Sequence, residues 1–553
     1  MPGFAPSSRA RNLERLSREV FDLLVVGGGI TGAGVAREAA LTGLSVALVE
    51  ARDFAAGTSS RSSKLIHGGL RYLEQGELSL VREAATERKS LRRIAPHLIV
   101  VAPMLVPVYG RTAAGLYKLR AGLTLYDRLA GVPAEERHRI LSAEEAVAAE
   151  PLLARGRLQG AALYPEYVTD DARLVLDTLK SAHLAGAAVV NYARVTALGA
   201  ADGLRTIGLR DEESGCELTA RARVVVNAAG PWVDALRALD EPDARPRLHL
   251  SKGIHLVFRA RDLPLRQSVV MPALDGRPIF TVPRGPFVYL GTTDTSYAGP
   301  LDEPLVSAED AHYLLTAMRQ TLPSVAIGPR EVVGTWAGLR PLVRQEGKPP
   351  SEISRRDEIT VSTSGLVTIA GGKLTTYRRM AERVLKSAAR LLGRAVAPAG
   401  TAQRRLPGGD LGPGQDVDAY LSSRVAERAM QWVPRDAMER LLATHGSDAP
   451  EILALVTDPA SLRPLADGVP LSAAEVRHAV RHEMARTVVD VLERRSPLSI
   501  FATESAREVA PAVADLMAGE LGWSAERRAV ELAAFDRLTR ARLAWRDACA
   551  MSA

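Results

Sequence analysis

FDLLVVGGGITG, residues 21–32, decides the fold of the first part of this chain, because an apolar strand runs directly into the motif Gly27-x-Gly29-x-x-Gly32. In this motif the first glycine permits a tight turn, the second lets the backbone approach a pyrophosphate, and the third packs a helix on the strand. The pyrophosphate lies at the helix N-terminus. A second strand ends at Glu50, which suits ribose hydroxyls and disfavours a 2′-phosphate. The spacing predicts a dinucleotide-binding βαβ unit.

The size and composition of the chain indicate a globular enzyme of two to three domains. It has 553 residues, 46% of them hydrophobic, and a mean hydropathy of −0.01. We expect no membrane span, because no run of eighteen apolar residues occurs, and no secretory signal, because residues 1–20 lack an apolar core. The two cysteines, Cys216 and Cys549, give neither a disulfide framework nor a metal-site spacing. A reducing, cytoplasmic location and no bound metal are therefore expected.

The rest of the chain predicts an α/β protein whose dinucleotide-binding domain is discontinuous. The strand-to-glycine pattern recurs at RVVVNAAG (residues 223–230) and LVTIAGGKLTTYR (residues 366–378), and short apolar runs between residues 254 and 292 are typical of an antiparallel sheet. We predict a Rossmann-like FAD-binding domain within residues 20–400 (about 20–95, 165–245 and 355–395). Antiparallel-sheet substrate-domain insertions occupy about 96–164 and 246–354. A Pro/Gly-rich connection then leads to a C-terminal α-helical domain, residues 401–553.

Three glycine-rich loops could supply the backbone donors that a flavin ring requires. They contain Gly68-Gly69, Asn227-Ala-Ala-Gly230 and Gly371-Gly372. The first belongs to TSSRSSKLIHGGLRYL (residues 58–73), which is too rich in serine and glycine to form core and is expected to face the cofactor.

These segments together resemble the FAD-dependent glycerol-3-phosphate dehydrogenases of the respiratory type. The resemblance covers nearly the whole chain, and its motifs occur in the family's order. They are GGGITGAGVAREAALTGLSVALVE, TSSRSSKLIHGGLRYLE, VTDDARLVLD, VVNAAGPWV, SKGIHLV, GTTDT, AGLRPL, ISRR, GGKLTTYRRMAE, LPGGD and RHEMARTVVDVLERR.

The resemblance implies that sn-glycerol 3-phosphate is oxidised to dihydroxyacetone phosphate, with hydride transfer to flavin N5. It places substrate contacts at Arg71, Tyr72, Arg340 and Lys373, whose cations suit phosphate oxygens. Arg355 resembles a further position near the substrate cavity, but the sequence after it, Arg-Asp-Glu, departs from the family and leaves its role open.

The catalytic residues expected from this reading are His255, Arg340 and Lys373. His255 lies between apolar neighbours in KGIHL, and its ordinary pKa near working pH favours a role as general base. A hydrogen-bonded core histidine is the alternative interpretation. His67 belongs to the loop expected to face the flavin and is interpreted as a cofactor contact.

The cofactor, FAD, is expected to contact all the glycine-rich segments and the residues beside them. The expected contacts are Gly27, Gly29, Ile30, Thr31, Gly32, Glu50, Ala51, Thr58, Ser59, Ser60, Ser63, Lys64, His67, Gly68, Gly69, Val195, Ala229, Gly230, Trp232, Gly372, Lys373, Leu374 and Thr375.

The electrons must then leave the flavin, and in the family they pass to membrane quinone. Leu116, Leu119, Leu123 and Tyr126 recur at helical spacing, with Lys118, Arg120 and Arg128 off that stripe. Such a helix can lie on an anionic membrane surface or pack on the protein's own core. We expect peripheral attachment to the inner face of the cytoplasmic membrane, and a homodimer is a further expectation.

Three alternatives to a quinone-linked dehydrogenase remain. An oxidase of glycerol 3-phosphate would use O2 as the acceptor. A flavoprotein that binds or modifies RNA is suggested by the net charge of +7 and the pI near 9.4. That class expects a concentrated basic and aromatic surface, whereas aromatic residues make up 5% and the arginines are scattered, so no nucleic-acid partner is expected. A scaffold protein without turnover would lack the cationic clamp.

Overall fold

Two β-sheets, one of eight strands and one of ten, organise the protein. The structure is a computed structural model that describes residues 4–68, 76–344, 356–412, 414, 417–427, 430 and 432–551. The strands are β1 (Val20–Val26), β2 (Val46–Val49), β3 (Leu65–Ile66), β4 (Val100–Tyr109), β5 (Arg139–Leu141), β6 (Leu158–Val168), β7 (Ala188–Val190), β8 (Ala193–Ala201), β9 (Leu204–Asp211), β10 (Glu217–Asn227), β11 (Leu248–Arg259), β12 (Ser268–Pro272), β13 (Pro278–Arg284), β14 (Phe287–Gly291), β15 (Thr295–Ser296), β16 (Gly334–Val343), β17 (Asp357–Val361) and β18 (Val367–Gly371). The α-helices are Pro6–Arg18, Ile30–Leu41, Leu78–Ile94, Ala114–Ala130, Ala143–Ala149, Asp171–Leu184, Val233–Asp240, Ala308–Thr321, Tyr377–Leu391, Val417–Ala426, Arg435–His445, Ala449–Leu453, Ala473–Glu483, Leu498–Phe501, Thr503–Leu521, Ala525–Leu543 and Trp545–Met551.

The first sheet has the order β17-β18-β10-β1-β2-β7, with β9 on β10 and β8 on β9, and the neighbours from β18 to β7 run parallel. The apolar strand β1 is buried because both faces of the sheet are covered. Helices cover one face, and the β8–β9 hairpin together with the N-terminal helix covers the other. A Cβ at Gly32 would lie 1.9 Å from the Gly27 carbonyl oxygen, so only glycine permits this close approach of helix and loop. The βαβ unit predicted from the glycine spacing is confirmed.

The second sheet has the order β15-β11-β14-β13-β12-β4-β6-β3, with β16 on β11 and β5 on β6. Both predicted insertions contribute to it. The first supplies β4 to β6 and the second supplies β11 to β16, and the parallel pairing of β4 with β12 joins the two groups. Leu65 and Ile66, expected in a loop, instead form the short strand β3 by pairing with the end of β6. The domain boundaries inferred from sequence stay predictions.

The later helices of the C-terminal region, from about residue 473 onward, pack on the second sheet rather than standing apart. Phe501 contacts the rings of Phe287, Tyr289 and Trp336 at centroid distances of 5.4–6.0 Å. The same cluster includes apolar residues of the long helices Thr503–Leu521 and Ala525–Leu543. The predicted fold class, a Rossmann-like domain with an antiparallel-sheet insertion and a helical C-terminal region, is confirmed.

Candidate active site

A cleft of about 440 Å³ opens at the carboxyl ends of β1, β2 and β10. This volume lies within the range of about 300–1,000 Å³ that is usual for ligand pockets. Ligands of open α/β sheets bind at this edge, where the strand order reverses. The predicted FAD contacts that line the cleft are Gly27, Gly29, Ile30, Thr31, Glu50, Ala51, Thr58, Ser59, Val195, Ala229, Gly230, Trp232, Gly372, Lys373 and Leu374.

The groups at the head of the cleft fit a dinucleotide. Gly29 has no side chain to cap the helix Ile30–Leu41, whose positive terminus lies at the cleft; there the Ile30 backbone donates to the Ser59 hydroxyl at 3.0 Å. The Glu50 carboxylate accepts hydrogen bonds from the backbone of Gly28 at 2.7 Å and of Arg52 at 2.9 Å. These bonds fix the carboxylate while each oxygen keeps a lone pair for a ribose hydroxyl. The donor set therefore suits a pyrophosphate and a sugar together.

The cleft also contains residues that the sequence did not indicate. Arg52 and Asp302 lie at its mouth, and Arg52 is stacked over the Trp232 ring at 4.6 Å. Arg52 could have been suspected from its position beside Glu50. Asp302 carries no local signal, because it reaches the cleft from a distant segment of the chain.

Several predicted FAD contacts lie outside the lining of this cleft. Lys64 shows the reason most clearly: its ammonium is buried, pairs with Asp171 and donates to the Ser60 carbonyl oxygen at 3.1 Å. Gly32 instead packs the helix on its loop. Outside the lining are Gly32, Ser60, Ser63, Lys64, His67, Gly68 and Thr375, whereas Gly69 lies outside the described residues.

Glu166, which the sequence did not indicate, holds the segment that contains His67 and Gly68. Its carboxylate accepts from the Gly68 backbone at 3.1 Å and from Arg88 at 3.0 Å, and it lies 3.8 Å from His67 Nδ1. Burial opposes ionisation here, but the neighbouring His67 and the Arg88 charge prevail, so the pKa of Glu166 is below its ordinary value. A Cβ at Gly68 would lie 1.9 Å from the Tyr126 hydroxyl, so the loop needs glycine there.

His255 lies on β11 in a closely packed aromatic setting. Its ring is stacked on Trp336 at 4.4 Å, and its Nε2 is 3.0 Å from the Ser63 hydroxyl. Only 2% of the residue is exposed. Burial, followed by the charges of Arg340 and Lys64, lowers the pKa of His255 well below its ordinary value, so the imidazole is neutral near pH 7.

Arg340 lies on β16, beside β11, next to the cleft-lining Pro341. Its guanidinium donates to the Thr293 carbonyl oxygen at 3.0 Å and contacts the Asp294 carboxylate at 3.3 Å. Lys373 lies in the cleft, directly before the 3₁₀ turn Leu374–Thr376. Arg71, Tyr72 and Arg355 lie outside the described residues.

Three groups that could ligate a metal come together in the helical region, although the sequence showed no metal-site spacing. They are His445, His478 and Glu483, all buried. The Glu483 carboxylate already pairs with Arg173 and with Lys180, the latter at 2.8 Å. These cations occupy the carboxylate oxygens that a metal ion would use.

The fold and the cleft define a dinucleotide-binding flavoprotein of the two-sheet oxidoreductase class. A sequence model described as FAD-dependent oxidoreductase matches residues 22–378, and one described as the C-terminal domain of alpha-glycerophosphate oxidase matches residues 399–528. FAD is the cofactor of this class, and the cleft fits it. The chain belongs to the FAD-dependent glycerol-3-phosphate dehydrogenase family.

Relatives match along almost the full chain. The aerobic glycerol-3-phosphate dehydrogenase of Staphylococcus aureus (strain USA300) is 39% identical over 520 residues, 92% of this chain and 93% of the relative. That of Bacillus subtilis (strain 168) is 38% identical over 535 residues, 95% and 96% of the two chains. The glycerol-3-phosphate dehydrogenase of Bacillus halodurans, solved with FAD, has a TM-score of 0.81 at 32% identity and covers 98% of each chain.

An oxidase shares the fold at lower similarity. The L-alpha-glycerophosphate oxidase of Mycoplasma pneumoniae has a TM-score of 0.54 at 19% identity, covering 70% of this chain and 99% of its own. This likeness concerns the fold alone.

Proposed function

We propose that this protein oxidises sn-glycerol 3-phosphate to dihydroxyacetone phosphate with FAD as its cofactor. Bound FAD supplies the hydride acceptor, flavin N5. The observation that carries the proposal is the 38–39% identity to aerobic glycerol-3-phosphate dehydrogenases across more than nine-tenths of this chain.

Arg340 and Lys373 are proposed to bind the phosphate of the substrate. They come from different parts of the fold: Lys373, in the turn after β18, lines the cleft, and Arg340, on β16, directly precedes the cleft-lining Pro341. Asp294 orients the Arg340 guanidinium and partly balances its positive charge while the site has no phosphate bound. A guanidinium and an ammonium suit the oxygens of a phosphate dianion. Arg71, Tyr72 and Arg355 remain further proposed contacts.

His255 is proposed to take the proton from the hydroxyl on the second carbon. A base must be unprotonated before it acts, and the lowered pKa of His255 keeps its imidazole neutral. Ser63 and Trp336 fix the ring, and its Nδ1 has no hydrogen-bond partner among the residues that the structure describes. The alternative role of His255, a hydrogen-bonded histidine of the core, is supported by the burial of its side chain.

Membrane quinone is the proposed electron acceptor, and O2 is the second candidate. The oxidase is favoured by one observation, the match of residues 399–528 to the C-terminal domain of alpha-glycerophosphate oxidase. The test begins with anaerobic addition of glycerol 3-phosphate, which should bleach the yellow flavin. A short-chain quinone should then restore the colour rapidly. Reoxidation by air at the same rate, with one hydrogen peroxide formed per substrate, would instead identify an oxidase. If the flavin stays oxidised after glycerol 3-phosphate is added, glycerol 3-phosphate is not the substrate.

Peripheral attachment to the inner face of the cytoplasmic membrane is part of this proposal. In the described ranges, no helix is both long and apolar enough to cross a bilayer. Of the stripe expected to meet lipid on the helix Ala114–Ala130, Leu123 and Tyr126 are buried in the protein, whereas Leu116 and Leu119 are only half-buried. Tyr117, 70% exposed, and the cations Lys118 and Arg120 face outward instead.

Sedimentation with liposomes tests the membrane contact. The protein should sediment with anionic liposomes at low salt and be released at high salt, since exposed charges are screened. Absence of binding at low salt would exclude the anionic surface as a partner. Sedimentation velocity of the free protein tests the proposed homodimer.

A further inference from the structure

Asp302 lines the nucleotide cleft, and its largely exposed side chain places it at the rim. Its Oδ1 is 3.5 Å from Arg52 Nη1, which also donates to the Asp302 carbonyl oxygen at 3.2 Å. The same arginine is stacked on Trp232. All three residues line the cleft, and they come from three distant parts of the sequence. The connection between β15 and the helix Ala308–Thr321 thus meets the nucleotide-binding domain at the rim of the cleft.

Buried charges anchor this segment through Glu303. Its carboxylate accepts from Arg61 at 2.6 Å and from Arg542 at 2.9 Å. Both arginines also contact Glu493, and their side chains are only 7% and 4% exposed. Alternating charges compensate one another, whereas removal of one partner would leave a buried charge unpaired. Two of the four groups, Glu493 and Arg542, belong to the C-terminal helical region.

The far end of the segment is held as well. Lys252 donates to the Leu305 carbonyl oxygen at 3.2 Å and pairs with Asp310. The Asp302 side chain itself stays 74% exposed. A fixed backbone therefore presents the Asp302 carboxylate to Arg52 at the rim of the cleft.

We infer that residues 302–305 form a strap that retains FAD in the cleft, closed by the contact of Asp302 with Arg52 and anchored by the helical region through Glu303. The strap acts by obstruction. The Asp302 carboxylate repels the negatively charged pyrophosphate of FAD. Direct electrostatics would therefore make Asp302 promote FAD release, whereas obstruction makes Asp302 slow it. The inference requires FAD as cofactor and does not depend on which substrate is oxidised.

The rate of FAD release tests the strap, followed by the fluorescence of free flavin after dilution of the loaded protein. Asp302→Asn and Arg52→Gln should each release FAD about threefold to tenfold faster, as expected for an exposed ion pair and a cation–π contact. The double variant should release it no faster than the faster single variant, because both changes open the same contact. Glu303→Gln should also accelerate release, since it loosens the anchor without touching the cleft.

Arg194→Gln is the matched control. Arg194 lines the same cleft but pairs with Glu212, 2.9 Å away, and makes no contact with the strap. Its variant should release FAD within about twofold of the wild-type rate. Slower release from Asp302→Asn, or equal acceleration by Arg194→Gln and Arg52→Gln, would show that only the electrostatic field matters and would overturn the strap. Unchanged release from Asp302→Asn would also overturn it. Circular dichroism verifies that each variant is folded.

Discussion

Gly291→Ala should displace the His255 imidazole and abolish most of the turnover. Gly291 and His255 are directly paired on neighbouring strands, β14 and β11. A Cβ at position 291 would lie 2.1 Å from His255 Cδ2 and 2.6 Å from Nε2. The ring cannot retreat, because Trp336 is stacked on its other face. The imidazole must therefore leave both this stack and its hydrogen bond to Ser63.

The energetic cost follows from these contacts. Loss of the stack and of the hydrogen bond costs about 0.5–1.5 kcal/mol each, and overpacking adds about 1–3 kcal/mol. We expect the free energy of unfolding to fall by about 2–6 kcal/mol, the sum of these effects. If His255 is the base, the rate of flavin reduction should fall about 10²-fold to 10⁴-fold.

Anaerobic stopped-flow reduction by saturating glycerol 3-phosphate measures this rate in variants whose FAD content and circular dichroism are normal. His255→Ala should show a similar loss, and the double variant should be no slower than the slower single variant. Gly122→Ala is the control: no atom lies within 4 Å of a Cβ there, and alanine favours its helix. A wild-type rate of flavin reduction in Gly291→Ala would refute the assignment of His255 as the base.

Three further changes test other contacts. Arg340→Ala should raise the Michaelis constant for glycerol 3-phosphate at least about tenfold with FAD still bound, because a charge-assisted hydrogen bond is worth about 1.5–3 kcal/mol. Steady-state kinetics decide this, and an unchanged constant would remove Arg340 from the clamp. Lys64→Met leaves the buried Asp171 carboxylate unpaired and should lower the free energy of unfolding by about 3–5 kcal/mol. A urea midpoint equal to that of the wild type would contradict this pairing. Burial lowers the pKa of His478 from its ordinary 6.5, so stability is fully present above that pH and is lost as the pH falls below it. The melting temperature should accordingly decrease less in His478→Phe than in the wild type when the pH is lowered from about 7.5 to about 5.5. Equal decreases in the two proteins would assign the acid sensitivity to other groups.

The helix and strand pattern of the nucleotide-binding domain could be predicted because its signals are local. The strand before Gly27 ends where the motif requires, and the helix that follows the motif begins at Ile30. Apolar periodicity and glycine spacing are set within a few neighbouring residues, so they survive in the sequence alone. The same motif reasoning placed Glu50 and Trp232, and both line the cleft.

Contacts between distant residues could not be predicted in this way. Lys64 was expected to meet FAD, but its partner is Asp171, and nothing near Lys64 in the sequence announces that carboxylate. Glu166 likewise carries no motif, yet it holds His67 and Gly68. Such side chains become partners because the folded chain brings residues that are distant in the sequence close together.

The sequence by itself determined a dinucleotide-binding βαβ unit and the family resemblance. Only the tertiary structure joined two separate insertions into one ten-stranded sheet, packed the C-terminal helices on that sheet and brought Asp302 to the cleft. The physical reason is the range of the forces involved. Turn geometry and strand or helix periodicity act between near neighbours, whereas sheet pairing and buried ion pairs depend on which distant segments the folded chain brings together.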